Sequence, residues 1–306
     1  MHARKGILLA GGHGSRLHPM TRVVNKQLLA VYNKPMIFYP LSTLLRAGLQ
    51  EILIITTAQD QSVFQQLLGD GSLFGTRFTW AIQPSPKGIA EALCLAESFL
   101  DGSPSLLILG DNLFHGQPLA QQMAQTCSTE QGATIFVQEV ADPSLYGILT
   151  MDQRGAPLTI EEKPKHSMSR WAVTGLYGYD REAPMLAARL HPSPRGELEI
   201  SDLNQLYLER GDLHVERLKG VQWLDTGTPD HLLAAQTYVQ RVERTGVAVG
   251  CPEVAALEAG LLTWSEFLDR IEMHRHGAYG HYLQRIAGAL QAAASSRSHV
   301  LQTVMS

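Results

Sequence analysis

Four apolar residues, Ile7-Leu8-Leu9-Ala10, run directly into Gly11-Gly12-His13-Gly14, and this junction constrains the fold more than any other stretch of the chain. A strand with no polar alternation is buried on both faces, as a parallel strand is when helices cover the sheet. Glycines then let backbone N–H groups approach a ligand closely. In an open α/β sheet such a loop lies at the carboxyl ends of the strands, where ligands bind. The junction predicts a phosphate-type site, although glycines alone also serve a plain chain reversal.

The rest of the first two thirds fits that start. Glu51–Thr57, Phe78–Gln83, Ser105–Leu109, Ala133–Gln138, Gly147–Met151 and Val173–Tyr179 read as further strands. Between them, Ile89, Leu93, Ala96 and Leu100 recur at helical spacing, as do Ile200, Leu203, Leu206 and Tyr207. The expected class is α/β: a Rossmann-like, three-layer α/β/α arrangement around a mixed, mostly parallel sheet. From Thr228 the strand signal fades, and Pro229–Arg244, Pro252–Gly260 and Thr263–Leu290 read as helices. The expected division is residues 1–240 as the α/β domain and 241–306 as a small helical subdomain and tail.

Composition removes several functions. A formal net charge of -4 argues against nucleic-acid binding, so a phosphate site has to be local. The apolar run at Ile7–Ala10 is too short for a signal peptide or membrane span, and no membrane association is expected. Cys94, Cys127 and Cys251 lie far apart and are odd in number, which suits a reducing, cytoplasmic setting. His274, His276 and His281 are poorly spaced for a metal on one helical face and read as surface or interface residues.

Arg16 and Lys26 follow the glycine loop closely enough to offset the charge of a triphosphate. The dinucleotide fingerprint would need glycine at Leu17, and the Walker pattern would need Gly-Lys-Ser/Thr, so neither applies. Leu106–Leu109 ends in Gly110-Asp111-Asn112, which sets a carboxylate at the same sheet edge and also makes a good turn. Mg2+ commonly takes one or two such carboxylates together with phosphate oxygens. Asp225-Thr226-Gly227 occurs once, whereas an aspartic protease requires two such aspartates sharing a proton. Gln83, at a strand end, can donate and accept at once, which matches the imide edge of thymine or uracil.

Gly11-Gly12-x-Gly14-x-Arg16-Leu17, Lys26-Gln27-Leu28-Leu29 and Lys34-Pro35-Met36-Ile37 together resemble the signature of the sugar nucleotidyltransferases, most closely its glucose-1-phosphate thymidylyltransferase branch. The resemblance spans roughly residues 4–240 and implies the nucleotide-diphospho-sugar transferase fold. It implies dTTP and glucose 1-phosphate as substrates, with Mg2+ on Asp111 and Asp225. Arg16 and Lys26 would act on the leaving phosphates and Lys163 on the incoming one. Leu9, Gly11, Gly12, Gly14, Ser15 and Gln27 would contact substrate, with Gln83 and Gly88 on the base. Tyr146, Gly147, Glu162, Val173 and Gly175 would line the sugar pocket, and Arg195 would add a phosphate contact. The resemblance also implies a homotetramer under feedback control by a dTDP-sugar. His13, Ala30 and Asn33 depart from the family pattern.

Overall fold

The computed structural model describes residues 3–12, 14–129 and 131–304, without the side chains of 294–304; His13 lies outside the described residues. The chain begins β1 (Lys5–Ala10), β2 (Ala30–Val31), β3 (Lys34–Pro35), α1 (Phe38–Arg46), β4 (Glu51–Thr56), α2 (Gln61–Leu68), β5 (Arg77–Ile82) and α3 (Glu91–Leu100). It continues β6 (Ser105–Leu109), β7 (Asn112–His115), α4 (Pro118–Ser128), β8 (Ala133–Glu139), β9 (Gly147–Met151), β10 (Pro157–Glu162) and β11 (Trp171–Tyr179). Then come α5 (Ala183–Ala187), α6 (Ile200–Glu209), β12 (Leu213–Arg217), β13 (Gln222–Asp225), α7 (Pro229–Glu243), α8 (Pro252–Glu258), α9 (Trp264–Met273) and α10 (Ala278–Val304).

Strands β5, β4, β1 and β6 lie side by side and parallel, with β1 and β4 in register from Gly6 opposite Ile52 to Ala10 opposite Thr56. Beyond them the sheet turns antiparallel around β11. One edge of β11 pairs with β8, which carries β12. The other edge forks: Leu176–Tyr179 pair with β6, and Trp171–Ala172 pair with β9. The sheet is therefore mixed, and its parallel half is the part with continuous apolar strands. Alternate residues of those strands feed two cores. Leu8, Ile52, Ile54 and Ile108 pack under α1 and α2 on one face, and Ile7, Leu53, Ile55 and Leu107 pack under α3 and α6 on the other. This gives three layers.

The helices after residue 250 join the first layer through α8, whose Ala255 and Ala256 belong to the same core as α1. The stretch Thr263–Leu290, expected as one helix, is two. The chain leaves α9 at His274 and re-enters helix at Ala278. There Gly277 N–H donates to the His274 carbonyl at 2.9 Å, and a Cβ on Gly280 would stand 2.1 Å from that same oxygen. Apolar periodicity hides the break because Phe267 and Ile271 before it and Tyr282 and Leu283 after it share one cluster. His274, His276 and His281 are exposed.

A buried ion pair ties the α/β part to these helices. Lys34 Nζ lies 2.5 Å from Glu243 Oε1, both side chains being 2% exposed or less. Tyr282 of α10 donates to the same carboxylate at 2.9 Å, and Asn33 Nδ2 donates to it at 2.7 Å. An aspartate at position 33 could not donate, so the Asn33 departure matches its surroundings. Removing one partner of such a pair strands the other charge in an apolar setting. Lys34→Met should lower stability by about 3–5 kcal/mol in urea denaturation. A loss under 1 kcal/mol would show that Glu243 is accommodated without its partner.

Candidate active site

The site is built where β1 and β6 end and where β6 and β9 part. At the end of β1, Gly11 has no room for a side chain: a Cβ would lie 2.5 Å from Gln83 Oε1. Gly14 is left-handed at φ 61°, and a short 3-10 turn, Ser15–Leu17, follows it. The first N–H groups of such a turn, those of Ser15 and Arg16, have no partner within it. The turn swings Arg16 toward Asp225. A Cβ on Gly227 would meet Arg16 Nη2 at 3.0 Å and Asp225 Oδ2 at 2.8 Å, so both groups lie against one α-carbon.

Residue 110 continues the ladder, its N–H donating to the Leu9 carbonyl at 2.8 Å, and Asp111 then stands at the mouth. The β7–β13 ribbon places Asp225 opposite Asn112, beside Asp111. Thr226 secures the junction, its Oγ1 donating to the Asp111 carbonyl at 2.9 Å. Lys26 Nζ lies 2.5 Å from Asp111 Oδ2, and Asn112 Nδ2 donates to Oδ1 at 2.9 Å. Burial would raise the pKa of Asp111, but the charge and hydrogen bond of Lys26, with Asn112 and Arg16, bring it below the ordinary value. Asp225 goes the other way. Burial and then the charge of Asp111 push it up, against partial relief from Lys26, Arg16 and His231.

Among the described residues no three His, Cys, Asp or Glu side chains come together as a metal cluster. Two hard carboxylates, one of them destabilised by the other, nevertheless suit a divalent cation that completes its shell with ligand oxygens and water. The donor set therefore fits Mg2+.

The opposite wall comes from the fork. Gly147 opens β9 and Gly175 sits where the β11–β8 register shifts between Val173 and Tyr177. A Cβ on Gly147 would lie 2.9 Å from Ser201 Oγ, and one on Gly175 would lie 2.7 Å from the Asn112 side chain. Tyr146 packs edge-on against Trp223 at 5.1 Å, and its pKa is pushed up to about 12 by burial and by Asp225. Glu162 accepts from Ser201 Oγ at 2.6 Å and faces Lys163 Nζ at 3.0 Å. Lys163 itself is left-handed, φ 45°, with its N–H on the Tyr146 carbonyl at 3.0 Å.

These walls enclose a cleft of about 350 Å³. Of the residues singled out in the sequence, Leu9, Gly12, Arg16, Gln27, Asp111 and Asp225 line one side of it. Tyr146, Gly147, Glu162, Lys163, Val173 and Gly175 line the other. Gln27 presents a buried amide oxygen, Oε1, with no partner among the described residues. Lys26, Gly11, Gly14, Ser15, Gln83 and Gly88 are not part of this lining; Gln83 lies against Gly11 and bonds Gly88. Arg195 is turned away: it bonds Glu199 at 2.7 Å and reaches the cleft through Glu197 at 3.2 Å and Glu162 at 3.4 Å. Asn112, Tyr177, Ser201 and Trp223 also line the cleft and were not singled out. Tyr177 shares the face of Val173 and Gly175 at strand spacing, and Trp223 that of Asp225, so alternation contained a signal for both. Nothing in the sequence pointed to Ser201.

A carboxylate pair beside cations, at the carboxyl edge of an open sheet and facing a polar pocket, belongs to an enzyme that handles nucleotide phosphates. The nucleotidyl transferase signature matches residues 5–242. The chain is 49% identical over 290 residues to the glucose-1-phosphate thymidylyltransferase of Xanthomonas campestris pv. campestris, covering 94% of this chain and 98% of that one. A similar relation, also 49%, holds to that of Neisseria gonorrhoeae, covering 93% and 99%. The fold resembles the crystal structure of a Bacillus anthracis protein assigned as a glucose-1-phosphate thymidylyltransferase, in complex with a sucrose. That match has a TM-score of 0.72 and 40% identity, over 77% of this chain and 95% of that one. A UDP-glucose pyrophosphorylase complexed with UDP-glucose shares the fold at TM-score 0.69 and 22% identity, over 79% of this chain and 100% of that one. The chain belongs to the nucleotidyl transferase family and, within it, to the glucose-1-phosphate thymidylyltransferases.

Asn112 is held by Trp223 Nε1 at 2.5 Å as well as by Asp111, so it has nowhere to retreat from a methyl group at position 175. Gly175→Ala should lower stability by about 1–3 kcal/mol by overpacking. It should also reduce activity more than the far side of the sheet would warrant, because Asp111 loses its alignment. Chemical denaturation and a steady-state assay of the same preparation check both; unchanged activity would mean that Asn112 does not align Asp111.

Proposed function

We propose that the chain transfers a thymidylyl group from dTTP to glucose 1-phosphate, giving dTDP-glucose and pyrophosphate. The observation that carries this reading is the single cleft in which Asp111, Asp225 and Arg16 face Glu162 and Lys163 across a fork in the sheet. One wall suits a triphosphate and the other a phosphorylated sugar. The near-complete coverage of thymidylyltransferase relatives supports the choice of nucleotide and sugar.

In the proposed reaction an oxygen of the sugar phosphate forms a bond to the α-phosphorus of dTTP, while the bond from that phosphorus to the bridging oxygen breaks. Pyrophosphate leaves with the electron pair. The attacking phosphate is already ionised near neutral pH, so no residue has to remove a proton. Arg16 offsets charge on the departing phosphates, and Lys163 holds the incoming one. Lys26 keeps Asp111 ionised and adds its charge at the leaving side. When bound, Mg2+ on Asp111 and Asp225 would supply charge neutralisation at the phosphates. Rate then comes from alignment and electrostatics.

Pyrophosphate release with dTTP or UTP, each with glucose 1-phosphate and Mg2+, tests the assignment. Release should be fastest with dTTP, and none with either nucleotide would remove the reading. Asp111→Asn should cut turnover at least about 100-fold while the circular dichroism spectrum stays native. Turnover near wild type in that variant would count against the carboxylate pair.

The family resemblance further supports a cytoplasmic homotetramer regulated by a dTDP-sugar and feeding deoxysugar synthesis of the dTDP-rhamnose type. The described cysteines form no disulfide, and no described helix is long and apolar enough to cross a membrane. Activity should fall as dTDP-rhamnose is titrated in; a flat response would argue against a working regulatory site.

A further inference from the structure

Next to Gly11, beyond the cleft lining, Gln83 has a more specific arrangement than its residue type alone suggests. Gln83 follows β5, is 4% exposed, and has its backbone N–H on the Thr56 carbonyl at 2.8 Å. Its amide nitrogen, Nε2, donates to Glu91 Oε2 at 2.7 Å and to the Gly88 carbonyl at 3.3 Å. Neither partner can donate, so this end of the amide has to be the NH2, and both of its protons are engaged. A flipped amide would aim a carbonyl oxygen at a carboxylate and a second carbonyl. The remaining end, Oε1, stands against the α-carbon of Gly11 and receives no hydrogen bond from a described residue.

Two backbone features hold this geometry. Gly88 is left-handed at φ 102°, and a Cβ there would strike the Leu198 carbonyl at 2.3 Å, so its own carbonyl is locked toward Gln83. Glu91 is the first residue of α3, where the helix dipole favours a negative side chain.

We propose that Glu91 is a positioning residue for base selection. By fixing Nε2 it makes Gln83 a pure acceptor toward the glycine loop, which favours pyrimidines carrying N3–H, thymine and uracil, over cytosine, whose N3 is itself an acceptor. The proposal rests on the thymidylyl-transfer reading and changes one part of the sequence expectation: Gln83 reads the base with its oxygen alone.

The test compares kcat/KM for dTTP and dCTP, each with glucose 1-phosphate and Mg2+, in wild type, Glu91→Met, Glu91→Lys and Glu91→Gln. Losing the fixed acceptor should lower the dTTP:dCTP ratio about 10-fold or more in Glu91→Met, through KM rather than kcat. Glu91→Lys, a donor in the same place, should lower it at least as far and decides the matter if the methionine variant does not fold. Glu91→Gln retains an acceptor oxygen and should recover most of the ratio. A purely structural role at the start of α3 would lower thermal stability in all three while leaving the ratio within twofold of wild type, and that result overturns the proposal. Failure of wild type to use dTTP at all would instead overturn the reaction assignment, so the two failures are distinguishable.

Discussion

Two carboxylates cannot share an edge of a sheet unless something offsets their repulsion, and this constraint organises the site. Asp111 arrives on the end of a buried strand and Asp225 on a short ribbon from a distant part of the chain. Lys26 compensates the first directly, at 2.5 Å, so that Asp111 stays ionised. For Asp225, Lys26, Arg16 and His231 at 3.7 Å give only partial relief from burial and from Asp111, and its carboxyl is raised. The result is an unequal pair, one carboxyl held below its ordinary pKa and the other above it. The glycine loop serves the same end at Gly14, which is left-handed and where a Cβ would stand 3.0 Å from the Lys26 side chain.

The second organising feature is geometric. β11 pairs with β8 alone on one edge, at Trp171–Val173 and Tyr177–Tyr179, but is shared by β6 and β9 on the other. Where those two strands part, the sheet opens between Leu109 and Gly147, and the register shift between Val173 and Tyr177 aims Gly175 into the gap. A sheet with a regular ladder there would be closed. The irregularity is thus what converts a packed α/β layer into a cleft, in line with the tendency of bulges to lie next to functional sites. Gly147 and Gly175 are required by this opening, since Ser201 and Asn112 occupy the space their side chains would need.

How much of this was legible depends on what each residue leaves in the local pattern. The parallel strands were readable because burial on both faces turns them into apolar runs. α1 was not, although nearly all of it, Phe38 to Leu45, is buried: its nine residues include Pro40, Ser42 and Thr43, which are weak helix formers. β7 and β13 are four residues each and pair only with one another, too short to carry alternation. β10 and β12, at sheet edges, keep mixed exposure and were not among the expected strands. Within the site, glycines and aspartates at strand ends stood out through turn chemistry. Asn112, pinned by Trp223, and Ser201, brought in by α6, depend on partners far away in sequence. Arg195 shows the converse. Its chemistry suggests a phosphate ligand, yet three glutamates, 162, 197 and 199, surround it at 3.4, 3.2 and 2.7 Å and already balance its charge.

The histidines sharpen the mechanistic reading. His115 bonds Tyr238 at 2.8 Å and is driven toward the neutral form by burial, and it does not line the cleft. His231 faces Asp225 from outside the cleft lining. No histidine among the described residues lines the cleft, while cations stand on both sides of it. A nucleophile that enters already ionised needs no base, and an ionised phosphate brought against a triphosphate needs charge compensation on two sides. The arrangement of Arg16 and Lys26 opposite Lys163 meets that need, which is why phosphate attacking phosphate is the chemistry this cleft suits.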